Sequence, residues 1–343
     1  MDKFKKIGLT ALASSLVAVS AYAGELSVTG GANATLTWGD GDREQGDTGK
    51  SLGTDKDVAF TGSGELDNGT TFTVFTATTD TQGDLTSGGL TISTPSFGSF
   101  LMGHHSGAAH YKYDEEVPNA YEQISDITST VTQNKVGDFM DNNHITYTTP
   151  TFEFGGAEIT LDVGYAFDAN DIETADGGVA HNVGMAYGTG QEAGITIKYD
   201  ALQIGVYGAE RENTNPNPAG SHAAKDEFNG VWYAKYNFGP VSIGYSEFYV
   251  DAGVTQTAVV ATDAPKTLRT SAGFTEGNQI GIAFNVNDNF SISYSESTET
   301  YDAQDDATTA IDDVDQEIDA LQFAYSMGGM SIKAYQMDVT NPA

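Results

Sequence analysis

Apolar and polar residues alternate along this chain in short stretches, and the stretches come in pairs joined by tight turns. Val58–Leu66 passes through Asp67-Asn68-Gly69 into Phe72–Val74, and Tyr236–Phe238 passes through Gly239-Pro240 into Val241–Tyr245. Ile280–Val286 and Phe290–Tyr294 flank Asn287-Asp288-Asn289, while Leu321–Met327 and Met330–Ala334 flank Gly328-Gly329. A period of two gives each strand one oily and one polar face, and Asn-Gly is the strongest short-range hairpin signal. Tight turns on one side and long polar loops on the other are the pattern of an up-and-down antiparallel sheet.

The same pattern extends over the rest of the chain. In Glu25–Trp38, Leu26, Val28, Ala32, Ala34, Leu36 and Trp38 share a face; Gly39–Thr54 reads as a charged loop. Gly88–Thr94 and Phe100–Gly103 flank a turn at Pro95–Ser99, and Asn143–Thr149 joins Ile159–Phe167 through Pro150–Gly156. Val179–Tyr199 reads either as two short strands or as one long strand with a bulge; one strand keeps every tight turn on the same side. Ile195, Ile197 and Tyr199 then meet Leu202, Ile204 and Val206 across Asp200-Ala201. Long segments lie at 105–142, at Asp251–Leu268 and at Ser295–Asp319, the last an acidic external loop.

Residues 1–23 stand apart. Lys3, Lys5 and Lys6 precede the apolar run Ile7–Ala21, and Ala21-Tyr22-Ala23 fits a small-x-small cleavage site, so this segment reads as a Sec signal peptide ahead of one domain, 24–343. No other segment approaches the ~20 apolar residues of a membrane helix. The chain carries a formal charge of −33 and no cysteine, which excludes disulfides and thiol chemistry and argues against a nucleic-acid partner.

Alternation alone fits a soluble sandwich as well as a membrane barrel. Three features favour the barrel. The leader exports the chain, the turn asymmetry is systematic, and the polar faces are rich in Ser, Thr, Gly, Asn and Gln rather than Lys and Glu. Strand spacing also suits the ~9–11 residues needed to cross a bilayer. Aromatics such as Trp38, Phe100, Tyr147, Phe167, Tyr199, Phe238, Tyr245 and Tyr325 fall near strand ends, where interfacial girdles sit. The fold class expected is all-β, an antiparallel up-and-down transmembrane barrel.

Four segments carry a family resemblance: Ala21-Tyr22-Ala23-Gly24-Glu25-Leu26-Ser27-Val28-Thr29-Gly30, Asp67-Asn68-Gly69-Thr70-Thr71-Phe72, Phe97-Gly98-Ser99-Phe100-Leu101-Met102-Gly103 and Asn143-His144-Ile145-Thr146-Tyr147-Thr148-Thr149-Pro150. In order and spacing they resemble the general-diffusion porins of Gram-negative bacteria, most closely the alphaproteobacterial type. The resemblance implies sixteen strands, a homotrimer among outer-membrane lipids, and passive passage of small hydrophilic solutes and ions. It also implies that the long loop after the fifth strand folds inward as a constriction. Following the turns makes Met330–Met337 an upward fifteenth strand, so the chain as given is expected to lack a final loop and strand.

The constriction loop then matches 105–142. It holds Asp114, Glu115, Glu116, Glu122, Asp126, Asp138 and Asp141 against Lys112 and Lys135. On the facing wall, strand parity offers Lys198, Lys235, Arg269 and Lys333, with Lys56 alone in the first five strands, and His104 and His105 where relatives often have bases. The acid excess predicts a cation-preferring channel. His144, alternating with Thr146 and Thr148, and Asp162 should face the lumen.

No cofactor is expected. The acidic loops offer oxygen ligands of the kind that suit Ca²⁺, without an ordered calcium-loop spacing, so no ligand set is named. No catalytic pair of Ser, His or Asp has supporting spacing. This leaves a substrate-selective channel as the nearest alternative, with a secreted adhesive β-protein behind it.

Overall fold

A computed structural model describes residues 24–39, 49–79, 85–127, 133–141, 143–169, 187–213, 222–224, 226–251, 253–256, 273–303 and 313–340. Residues 1–23, the segment read as a signal peptide, lie outside the described residues. The chain divides into two compact units, Met1–Ser106 and Gly107–Ala343.

The first unit carries β1 (Glu25–Gly39), β2 (Gly49–Glu65), β3 (Thr71–Thr79), β4 (Leu85–Thr94) and β5 (Gly98–His104), each antiparallel to the next. Its first tight turn closes as the sequence requires. Gly69 adopts φ +79°, Gly69 N–H donates to Leu66 O at 2.9 Å, and Asn68 Oδ1 accepts from Thr70 N–H at 3.0 Å. Register lines up the apolar rows, Leu36 opposite Leu52, Val28 opposite Phe60, and Val74 opposite Leu90. The same register places Lys56 opposite Ala32, on the face of Val58 and Phe60. This corrects the expectation that Lys56 is a pore-wall base: a period of two allows it only the apolar face.

The second unit carries β6 (His144–Thr148), β7 (Phe152–Phe154), β8 (Ala157–Ala166), β9 (Tyr187–Tyr199), β10 (Leu202–Asn213), β11 (His222–Ala224), β12 (Glu227–Phe238), β13 (Val241–Asp251), β14 (Val254–Gln256), β15 (Gly273–Asn287), β16 (Phe290–Ala303), β17 (Val314–Met327) and β18 (Met330–Thr340). The sheet runs β6-β8-β9-β10-β12-β13-β15-β16-β17-β18, antiparallel throughout. β6 and β7 both pair with β8 and form one stroke interrupted around Pro150, whose ring nitrogen has no proton for the ladder. β11 and β14 make a separate two-stranded ribbon. Among the described residues the first unit thus supplies five strokes and the second ten; β9 runs unbroken through Gly188–Ala193, while 179–186, the earlier part of the segment read as one strand, lie outside the described residues.

Two loops are shorter than expected. Ser295–Asp319 is largely strand: β16 continues to Ala303 and β17 starts at Val314, with 304–312 outside the described residues. Likewise β2 begins at Gly49, inside the segment read as a charged loop. A ladder pairs backbone groups and does not need apolar side chains, so strands of 14 to 17 residues continue past the ~9–11 that hydrocarbon requires.

The second unit is polar and aromatic inside, apolar outside. Leu161, Val163, Trp232, Tyr236, Ile280, Ile282, Leu321 and Phe323 are exposed on the outer face, a display that only a non-aqueous neighbour stabilises. On the same face Trp232 Nε1–H and Tyr245 O–H donate to Glu247 at 2.9 and 2.7 Å, and Tyr294 O–H donates to Glu296 at 2.7 Å. Aromatic bodies with polar tips satisfied in this way suit a lipid–water boundary.

Candidate constriction site

The described parts of the loop, 107–127 and 133–141, lie on the inner face of the second unit's sheet, and the buried core there is shared between the two. Ala108, Ala109, Tyr113, Val136, Phe139 and Met140 of the loop pack with Tyr207, Ala209, Val231, Tyr233, Phe248 and Val250 of the wall. Short 3₁₀ turns at Ala109–Lys112, Ile124–Ile127, Gln133–Lys135 and Asp138–Met140 shape it. Glycines on the wall make room. A Cβ at Gly194 would overlap the Tyr113 ring, one at Gly244 would overlap Pro118, one at Gly281 would reach Val117, and one at Gly190 would reach Met140. Gly137 takes φ +82° in the loop itself, over His110 and the Tyr207 hydroxyl, a conformation that few other residues adopt.

Polar clamps fix the rest. Glu192, buried on β9, accepts from Ala109 N–H at 2.8 Å, Tyr207 O–H at 2.8 Å and Thr146 O–H at 3.3 Å. Asp162, 1 % exposed, accepts from Tyr113 O–H at 2.8 Å and Thr148 O–H at 2.5 Å and pairs with Lys112. The Tyr113 ring stacks on Tyr207 at 5.3 Å. Ser246 O–H donates to Gln133 Oε1 at 2.7 Å, while Gln133 Nε2 donates to Asp114 O at 2.7 Å. Further along, Ser293 Oγ accepts from Ala120 N–H at 2.8 Å, and Gln322 binds the backbone of Tyr121 and Glu122.

The predicted loop acids therefore have different environments. Glu116 pairs with Lys235, Asp138 with Lys135 at 3.4 Å, and Asp141 accepts from Tyr111 O–H at 2.6 Å. Asp114 is buried, Glu115 exposed and Glu122 half-buried. The side chain of Asp126 and all of Arg269 lie outside the described residues. Among the wall bases, Lys198 is exposed opposite Glu158 on β8, and Lys333 stands 5.0 Å from the centre of the Tyr121 ring. His144 and Asp162 share the inner face as expected, but both are buried at 3 % and 1 % exposure. The loop covers them, so they seat it and do not line open water. Among the described residues no group of three or more His, Cys, Asp or Glu is arranged to hold a metal ion, so no ligand set is assigned to the Ca²⁺ that the acidic loops suggested.

Burial shapes the loop's titrations. The His110 imidazole is pushed down to about 3, first by desolvation and then by His144 beside it. Tyr111 and Tyr113 are held above the usual phenol range, in both cases chiefly by burial, Tyr111 also through its bond to Asp141.

A β-sheet with an apolar outside and a long loop clamped to its inside is a channel architecture, and comparison with known proteins gives it a family. A family profile described as Gram-negative porin matches residues 8–329. This chain belongs to the Gram-negative porin family. Among solved structures, a porin refined at 1.8 Å resolution is 16 % identical, with 93 % of this chain and 95 % of that chain covered at a TM-score of 0.60. Salmonella typhi OmpF in complex with daunomycin is 13 % identical, covering 92 % and 90 % at 0.62. OmpT, an outer membrane protein of Vibrio cholerae, is 11 % identical, covering 94 % and 88 % at 0.61. No curated protein matches significantly. The fold class is therefore the porin one, an all-β antiparallel up-and-down transmembrane barrel, and the porin is an outer-membrane channel protein rather than an enzyme.

Several groups that organise this porin's site are not evident from sequence reading. Glu192 sits in the segment read as a bulge. Arg211 lies beyond the expected end of β10; its guanidinium binds Glu227 through Nε at 2.8 Å and Ala169 O at 2.8 Å, and stacks 3.4 Å above Tyr187. Strand parity carried five residues further would have put Arg211 inside. The wall glycines had a readable signal too, since Gly164, Gly194 and Gly244 fall on the polar phase of their strands.

Proposed function

We propose that the protein forms a water-filled channel through the outer membrane for passive diffusion of small hydrophilic solutes and ions, as a homotrimer, and that the channel prefers cations. The observation that carries the cation preference is the acid excess of the loop, seven carboxylates against two lysines over residues 105–142. Three bases of the site are themselves held in ion pairs, Lys235 by Glu116, Lys112 by Asp162 and Arg211 by Glu227. Carboxylates around a narrow path raise the local concentration of cations and exclude anions. A loop clamped across the inner face supports size selection, because its position is fixed by buried side chains and not by solvent.

The test is conductance in planar bilayers, with zero-current potentials measured across a KCl gradient. Stable unitary steps with a potential of cation sign support the reading. Anion preference removes the electrostatic part, and an absence of conductance from folded, outer-membrane-derived protein removes the whole.

A further inference from the structure

Gln322 on β17 is 1 % exposed and spends its whole amide on the loop. Its Oε1 accepts from Tyr121 N–H and from Glu122 N–H, both at 3.0 Å, and its Nε2 donates to Glu122 O at 2.8 Å. One side chain thus does for two loop residues what a neighbouring strand would do. The segment lies where charge meets the path. The Tyr121 ring stands over the Lys333 ammonium at 5.0 Å and against Tyr335 at 5.9 Å, and Glu122 follows it in the loop. Beneath, Ile124 packs with Ile318 and Ala320, with Met337 and Val339 beside them. This apolar contact resists lifting of the loop. It does not resist sliding along the wall, because dispersion contacts are non-directional. Directional restraint comes from hydrogen bonds, and Gln322 makes three to the backbone of Tyr121 and Glu122.

Resting on the channel reading above, we propose that Gln322 is the selectivity-positioning residue of this channel: it holds Tyr121 over Lys333 and so fixes where that exposed base stands beside the path. The ammonium gains from the ring face and loses freedom to extend into water. Without the lock, Tyr121 and Glu122 shift while Ser293 still holds Ala120, Lys333 extends further, and its positive charge moves into the path.

The experiment is a double-mutant cycle read by zero-current potential and unitary conductance, using the full protein with heat-modifiable migration as the folding check. In Gln322→Leu the cation-to-anion permeability ratio is expected to fall about two- to threefold, the weight of one unit charge across ~6–8 Å of water. In a Lys333→Gln background the same substitution should change the ratio no further. Gln322→Asn, one methylene too short to reach both N–H groups, should reproduce the effect and replaces Gln322→Leu if that variant does not fold. A wild-type ratio in folded Gln322→Leu or Gln322→Asn overturns the proposal and leaves the channel reading intact. A fall that persists in the Lys333→Gln background also overturns it, since Gln322 would then act through something else. If the wild-type protein does not conduct, the channel reading fails first and this proposal falls with it.

Discussion

Replacing Asp162 by Asn should loosen the loop without removing any volume. Asp162 is 1 % exposed and holds three groups: Tyr113 O–H at 2.8 Å, Thr148 O–H at 2.5 Å and the Lys112 ammonium. A hydrogen bond to a charged group contributes about 1.5–3 kcal/mol and a neutral one about 0.5–1.5, so converting the two hydroxyl contacts costs about 2 kcal/mol. The Lys112 side chain is 46 % exposed, so solvent screening reduces its share to about 0–1 kcal/mol. The total, about 2–3 kcal/mol, lowers the ratio of seated to released loop about 30- to 140-fold. Two assays read this directly. Trypsin should cut after Lys112 faster in Asp162→Asn than in the wild-type protein, and single-channel traces should gain open-state noise at unchanged fold. Matching cleavage rates and noise, within twofold, would refute the clamp and leave Tyr113 stacking as sufficient.

Three more outcomes are expected. Gly194→Leu should displace the Tyr113 ring that occupies its Cβ position, at about 1–3 kcal/mol for overpacking, and show as altered unitary conductance. Lys235→Gln leaves the Glu116 carboxylate without its ion-pair partner, so the cation-to-anion permeability ratio should rise, whereas Glu116→Gln should lower it; reversal potentials in salt gradients check both. For His110 the folded value, about 3, lies below the unfolded 6.5, so the unfolded chain binds more protons between them. Stability should fall as pH drops through that window, by up to about 1.4 kcal/mol per pH unit from this group, and His110→Gln should flatten thermal-unfolding midpoints measured from pH 6.5 to 4.

The alternation of Ile159, Leu161, Val163 and Tyr165 made β8 readable, and the Asn68-Gly69 turn made its hairpin readable, because a two-residue period and a left-handed turn position are local properties. Strand ends were less legible. Glu299 and Asp315 look like loop residues, yet they are in β16 and β17, where backbone pairing outlasts the apolar phase. The charge of Lys56 suggests the lumen, but its phase with Val58 and Phe60 decides its face. The loop's acids were legible as a group, but not their partners. Glu116 finds Lys235 from 119 positions away, and only the folded loop brings them together. Gln322 carried no signal, since an inward Gln in a hairpin of a wet barrel looks like any pore-lining residue.

The glycines under the loop are an imprint. Gly190, Gly194, Gly244 and Gly281 each leave out the atom that would collide with Met140, Tyr113, Pro118 or Val117. The wall therefore stores the shape of one particular loop, in negative. A constriction grafted from another channel would meet hollows in the wrong places, and its bulky residues would stand off the wall and narrow the path. Moving selectivity between channels of this kind thus requires moving two separated pieces of sequence together, the loop and its mould.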